Sequence, residues 1–214
     1  MSSSIADHPE LLDRVREAAE VDDETSARIL DAALRRFAAD GVRGTTMDDI
    51  AREASIGRAT VYRRFSGRDE IVRAVLLREM ARFIGEVDAA VQRIDDPLER
   101  FVEGFVATLR EARDHPLLRR LLEVEPDQLL PALTLEGTPA LTLARAYLAQ
   151  EFRRSQADGH THGDVDVDLV AEMLVRLCQS LLLTPGGMIE LDDDAGLQHL
   201  ARAYLAPALF TGRA

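Results

Sequence analysis

Between Ala54 and Arg68 the chain reads ASIGRATVYRRFSGR: four arginines (Arg58, Arg63, Arg64 and Arg68) and no acidic residue. Thr60 and Tyr62 add hydroxyls, and Ala59 a small apolar group. Guanidinium and hydroxyl groups donate to phosphate oxygens and to base edges, so this mixture suits contact with a polyanion. The setting makes it conspicuous, because the 214-residue chain has a net charge of −12. Residues 1–24 hold eight acids and two arginines, residues 25–82 twelve arginines and eight acids, and residues 83–214 twelve arginines and twenty-two acids. A globally acidic protein repels a polyanion, yet a local basic face can still steer and bind one.

Other residues of chemical potential carry less. HTHGDVDVD places His160, His162, Asp164, Asp166 and Asp168 close together, which could hold a divalent metal. The stronger reading is a polar loop whose acids favour the start of the next helix, because no His or Cys partner recurs at ligand spacing. ELDDD reads the same way. Cys178, between Leu177 and Leu181, reads as a buried small hydrophobe rather than a redox group. No glycine-rich phosphate loop, nucleophile elbow or paired-carboxylate constellation appears, so neither an enzyme nor a bound metal or cofactor is expected.

The elements that must position the basic segment are helical. Hydrophobic residues make up 46% of the chain, enough for a core, with few aromatics and no sustained apolar–polar alternation. The reading is all-α, with nine core helices. A further segment at the front, HPELLDRVREAAEVDDE, is a short amphipathic helix or a partly ordered acidic arm, and both readings stand. Thr25 or Ser26 caps the first core helix, whose Ile29, Ala33 and Phe37 form a stripe ended by Gly41. Thr45 or Thr46 caps the next, MDDIAREA. SIG is a tight connection, RATVYRRF a third helix, and Ser66 caps a fourth running from Arg68 to about Ile94. Pro97, Pro116, Pro126 and Pro131 punctuate the chain beyond that helix, the last two breaking their region into short pieces. Longer helices are expected over 139–157, 165–183 and 195–210. No apolar run approaches the ~20 residues of a membrane span. The N-terminus has no signal-peptide pattern, and the single cysteine fits a reducing compartment. A cytoplasmic protein is expected, with no membrane partner.

The pair at 46–65 has the character of a helix-turn-helix. Its connection is short and contains a glycine, and Ala51 is small where two helices must cross. With Val61 and Phe65 turned inward, Arg58, Ala59, Thr60, Tyr62 and Arg63 are left outward. Thr46 and Arg68 stand at helix N-termini, where backbone N–H groups favour a phosphate.

Here the sequence resembles a known family. ILDAALRRFAADGVRGTTMDDIAREASIGRATVYRRFSGRDEIVRAVL is similar to the N-terminal domain of tetracycline-repressor (TetR) family regulators. The resemblance rests on Phe37-x-x-x-Gly41, on Gly44-Thr-Thr-x-x-Asp-Ile-Ala51, on Gly57-Arg-Ala-Thr-Val-Tyr-Arg-Arg-Phe65 and on the charged start of the fourth helix. It implies an N-terminal three-helix DNA-binding domain over 25–70 and a larger helical effector-binding and dimerisation domain over 71–214; residues 1–24, the acidic arm or extra helix read above, precede them. It also implies a homodimeric transcriptional regulator, most often a repressor, that binds double-stranded operator DNA and is released by a small molecule. Arg43, Thr45, Thr46, Arg58, Ala59, Thr60, Tyr62, Arg63 and Arg68 are the expected DNA-binding residues. Two departures stand out: Ser55 replaces a common glycine and Gly57 a common serine or threonine in the turn, and Ser66-Gly67-Arg68 replaces a common Pro-Ser-Lys. The alternative is a helical interaction protein that has lost specific DNA binding, against which the acid-free recognition helix argues.

Two expectations concern the larger domain. Protomers pair through the helices at 165–183 and 195–210, where Val170, Leu174, Leu177, Leu181, Leu197, Leu200 and Tyr204 fit a bundle face, although some must be intrachain core. Phe101, Phe105, Leu109, Leu122, Tyr147 and Met173 are candidate effector-pocket walls, and the absence of a charge cluster among the apolar stretches points to a hydrophobic effector.

Overall fold

A computed structural model describes residues 23–135 and 138–210; the front helix candidate, apart from its last two residues, and the last four residues of the chain lie outside them. The regular structure of the described residues is helical: α1 (Glu24–Gly44), α2 (Met47–Ala54), α3 (Arg58–Arg64), α4 (Arg68–Val91), α5 (Pro97–Asp114), α6 (Pro116–Val124), α7 (Pro126–Leu133), α8 (Thr138–Ala157), α9 (Val167–Leu183) and α10 (Asp194–Leu200). A π turn, Ala201–Leu205, and a 3-10 turn, Ala206–Ala208, continue the last helix. The all-α expectation holds. The stretch that two prolines were expected to break is helical as α7, with Pro131 inside it. In so short a helix Pro131 forgoes one backbone bond, to the carbonyl of Asp127, so the cost is bounded. No helix among the described residues is long and apolar enough to cross a membrane.

The described chain forms two compact units. The first takes residues up to Ile84 together with His115–Leu130; the second takes Gly85–Asp114 and the chain from Pro131 onward. In the first, α1 buries Ile29, Leu30, Ala32, Ala33 and Phe37 against Ile50, Ala51 and Ala54 of α2, Val61 and Phe65, and Ile71 and Val75 of α4. Leu117 and Leu121 of α6 complete that core, which is why a segment so distant in sequence belongs to this unit. The cap of α1 is Asp23 rather than Thr25 or Ser26: its carboxylate accepts from the Ser26 N–H at 2.9 Å and the Ser26 hydroxyl at 3.0 Å. Arg28 closes the far end of α2, donating to the Ala54 carbonyl at 2.9 Å. Arg78, itself buried, lies 2.9 Å from the Asp31 carboxylate and donates to the Ala27 carbonyl at 3.2 Å.

The second unit has two apolar clusters. Val102, Phe105, Val106 and Leu109 of α5 pack with Leu197 and Ala201, while Ala149, Phe152, Val167, Ala171, Leu174 and Leu209 form the other. Phe101 touches both; its ring centroid is 6.1 Å from that of Phe152 and 5.7 Å from that of Phe210. Two acids of the 160–168 stretch serve the fold. Asp166 caps α9 by accepting from the Leu169 N–H at 3.1 Å, and Asp168 pairs with Arg153. Cys178 packs against the first cluster, and burial pushes its thiol up to about 12. Because the thiolate is the nucleophile, Ellman's reagent at mildly alkaline pH is expected to react with the native protein about tenfold or more slowly than with the guanidinium-unfolded chain.

Candidate nucleic-acid interface

Thr46 caps α2 and forms a reciprocal box with Asp49. The Thr46 hydroxyl accepts from the Asp49 N–H at 3.2 Å and donates to the Asp49 carboxylate at 2.6 Å, which also accepts from the Thr46 N–H at 3.0 Å. The hydroxyl and then the backbone N–H of Thr46 hold the Asp49 carboxyl below the usual carboxylate range. Folding is thus favoured by this cap above the unfolded carboxyl pKa, and the contribution is lost as the pH falls through the lowered one. At the other end, Ser55 is left-handed, with φ +53°, and its N–H and that of Ile56 return to the Arg52 and Ala51 carbonyls.

Gly57 then starts α3 with φ −60° and no side-chain cap. A Cβ there would meet nothing within 4 Å. The two departures from the family's turn therefore have opposite remedies. Ser55→Gly is expected to raise stability by about 1 kcal/mol by relieving a left-handed non-glycine residue. Gly57→Ser is expected to add a few tenths of a kcal/mol by supplying a cap. Urea midpoints of the single and double variants check both.

Val61 is fully buried and Phe65 nearly so, which turns the other side of α3 outward. Arg58, Ala59 and Arg63 are exposed, Thr60 is half-buried, and Tyr62 is 43% exposed. Arg58 donates to the Asp48 carboxylate at 2.9 Å, and its guanidinium carbon lies 5.4 Å from the Tyr62 ring centroid. Arg63 has no hydrogen-bond or ion-pair partner among the described residues. Arg64 pairs with Asp23 at 2.8 Å and Arg43 with Asp127 at 2.7 Å. Arg68 is exposed and reaches the Val42 carbonyl at 3.5 Å.

Thr45 needs correction. It is fully buried, and its hydroxyl donates to the Gly41 carbonyl at 2.7 Å. It shapes the loop between α1 and α2 and presents no group to a ligand. Sequence reading also missed the residue that holds this loop. Glu125 is buried just after α6, and its carboxylate accepts from the Val42 N–H at 3.1 Å and the Arg43 N–H at 3.3 Å. Nothing local in the sequence signals that contact, since the partners lie 83 and 82 residues apart.

Residues 29–75 match the family of bacterial regulatory proteins of the tetR type, and residues 96–202 match the C-terminal domain of the bacterial tetracyclin repressor. The chain belongs to the tetR family. Its relatives are transcriptional regulators rather than enzymes, so this tetR-family chain is a DNA-binding transcriptional regulator. It is 32% identical to the HTH-type transcriptional regulator AlkX of Mycobacterium tuberculosis over 143 residues, 65% of this chain and 66% of that protein. It is 29% identical to the regulator TtgR of Pseudomonas putida over 213 residues, 91% of this chain and 99% of that protein. Among solved structures, that of SmeT, repressor of a Stenotrophomonas maltophilia multidrug efflux pump, shares the fold with a TM-score of 0.61 at 23% identity, over 89% of this chain and 94% of that one.

The residues expected to wall an effector pocket are divided. Phe105 and Leu109 are buried in an apolar cluster of the second unit, which Phe101 borders. Tyr147, elsewhere in the second unit, donates its hydroxyl to Asp88; burial first and then that carboxylate raise its pKa. Leu122 is half-buried in the first unit. Met173 is 62% exposed, so the described residues do not enclose it, contrary to expectation. It stands one turn after Leu169, 58% exposed, on the outward side of α9. Most of the residues expected to pair protomers are engaged within the chain. Leu174 and Leu197 are buried, and Leu177, Leu181 and Leu200 pack within the same unit. Val170 packs against the other cluster, so of the residues expected on that face only Tyr204 is exposed, while Leu169 and Met173, which were not expected there, are exposed on α9.

Proposed function

We propose that this regulator is a ligand-responsive repressor acting in the cytoplasm as a homodimer on a palindromic operator. The observation that carries the reading is the outward face of α3. Arg58, Thr60, Tyr62 and Arg63 lie on a short helix whose opposite side is pinned by Val61 and Phe65. A helix so presented puts its first residues against base edges in the major groove, while its arginines and Tyr62 meet phosphates. Arg43, Thr46 and Arg68 flank that face as backbone contacts. Pairing through the exposed apolar side of α9 and Tyr204 sets two recognition helices ~34–36 Å apart, one DNA turn. A small hydrophobic effector lodged in the second unit and favouring a different separation weakens DNA binding by linkage. SmeT, which shares the fold, has been solved as a complex with triclosan.

Fluorescence anisotropy on the DNA upstream of the protein's own gene, with random duplex as competitor, tests this. The expected result is competitor-resistant binding that weakens about tenfold or more in Tyr62→Ala. Binding no tighter than to random duplex at any salt concentration, on that DNA and in a genome-wide selection, would overturn it.

A further inference from the structure

We propose that Arg145 is the anion-binding residue of the effector site in the second unit, and that the effector is an amphiphile carrying a carboxylate beside an apolar body. The proposal rests on the effector reading above and replaces its purely hydrophobic ligand with a mixed one.

Arg145 lies on α8 and is only 8% exposed. It has no hydrogen-bond or ion-pair partner among the described residues, and its Nη2 is wholly buried without an acceptor. A guanidinium cannot shed its proton, so it cannot relieve burial by becoming neutral. An unpaired buried charge is costly unless something neutralises it. The other arginines of this unit that reach inward are satisfied: Arg110 meets Asp194 at 2.7 Å, and Arg113 meets the Leu191 carbonyl at 2.6 Å. Arg78 of the first unit, buried to the same degree, has Asp31.

The described acids that contact α8 side chains are engaged there by other residues. Glu151 pairs with Arg154 at 2.6 Å, Asp168 pairs with Arg153, and Asp88 takes the Tyr147 hydroxyl. An external anion is thus the missing partner. A carboxylate matches the guanidinium fork with two parallel bonds.

The surroundings along the helix give the rest of the ligand. Ala149 and Phe152 follow Arg145 at spacings of four and seven, the same helical face, and both are buried. They continue into the cluster of Val167, Ala171 and Leu174 and to the Phe101 ring. One charged end followed by an apolar run fits an amphiphilic acid.

Calorimetric titration of the full-length protein with decanoate and with decanol tests the assignment, using wild type, Arg145→Met and Arg145→Lys. Wild type is expected to bind decanoate about tenfold or more tightly than decanol, Arg145→Met to lose the preference, and Arg145→Lys to keep part of it. Ligand-free Arg145→Met is expected to melt no lower than wild type and to keep its oligomeric state. Equal binding of the two probes, a preference that survives Arg145→Met, or no decanoate binding would overturn the proposal. So would a lower melting temperature or an altered oligomer in ligand-free Arg145→Met, because the charge would then serve the fold or a second subunit. Operator release, followed in parallel, separates this from the broader reading. Release by decanol in wild type and Arg145→Met alike leaves effector control standing while removing Arg145. Decanoate binding that leaves the operator bound removes effector control while keeping Arg145.

Discussion

Gly41→Ala is expected to be among the most damaging single substitutions in the first unit, destabilising it by about 3 kcal/mol, from left-handed strain plus loss of buried hydrogen bonds. Gly41 adopts φ +82° where α1 breaks, which a residue with a Cβ resists. A Cβ there would also lie 2.2 Å from a Glu125 carboxylate oxygen and 2.7 Å from its Cδ. That carboxylate could swing away only by abandoning the N–H groups of Val42 and Arg43 while remaining buried. Strain and displacement can be separated. Glu125→Ala removes the obstacle, so Gly41→Ala in that background is expected to cost only the backbone strain, ~1–2 kcal/mol. The double-mutant cycle in urea is expected to give a coupling energy of about 1–2 kcal/mol. Additive effects would mean that the carboxylate yields freely and that Glu125 does not hold the loop. Because Arg43 and the Thr46 cap depend on the same loop, Glu125→Ala is also expected to weaken DNA binding while α3 keeps its outward face.

Met173→Glu is expected to convert the proposed homodimer to a monomer and to lower operator affinity about 10²–10⁴-fold, the gain that linking two half-site contacts supplies. In an isologous interface each substitution enters twice, so a single buried charge is set against its own copy. The side chain is exposed within its own chain, so the fold of each protomer is expected to survive. Sedimentation and circular dichroism measured together decide the matter. A monomer with native helicity and weak, half-site-like binding is the expected result. An unchanged dimer would place the pairing surface elsewhere than Leu169, Met173 and Tyr204.

The sequence by itself determined the helical class, the capping and turn chemistry of the DNA-reading segment, and the family. These are local matters. Ile50, Ala51 and Ala54, then Val61 and Phe65, show their inward spacing within a few residues, and the acid-free run from Ala54 to Arg68 announces its outward chemistry. The short turn between the two helices was legible for the same reason, whereas the left-handed backbone at Ser55 came from the structure. Only the tertiary structure decided which of two adjacent threonines was spent: Thr46 caps α2, whereas Thr45 is buried with its hydroxyl on Gly41. It alone brought Leu117, Leu121 and Glu125 into the first unit, because contacts at such separations leave no periodic trace. In the second unit the apolar stripes of α9 and α10 could not be sorted by pattern. Leu174 and Met173 are neighbours of one character in sequence, and only packing turns the first inward and the second out. Arg145 is the sharpest case. One more arginine in an arginine-rich chain carries no signal until the fold withdraws it from water and leaves it without a partner.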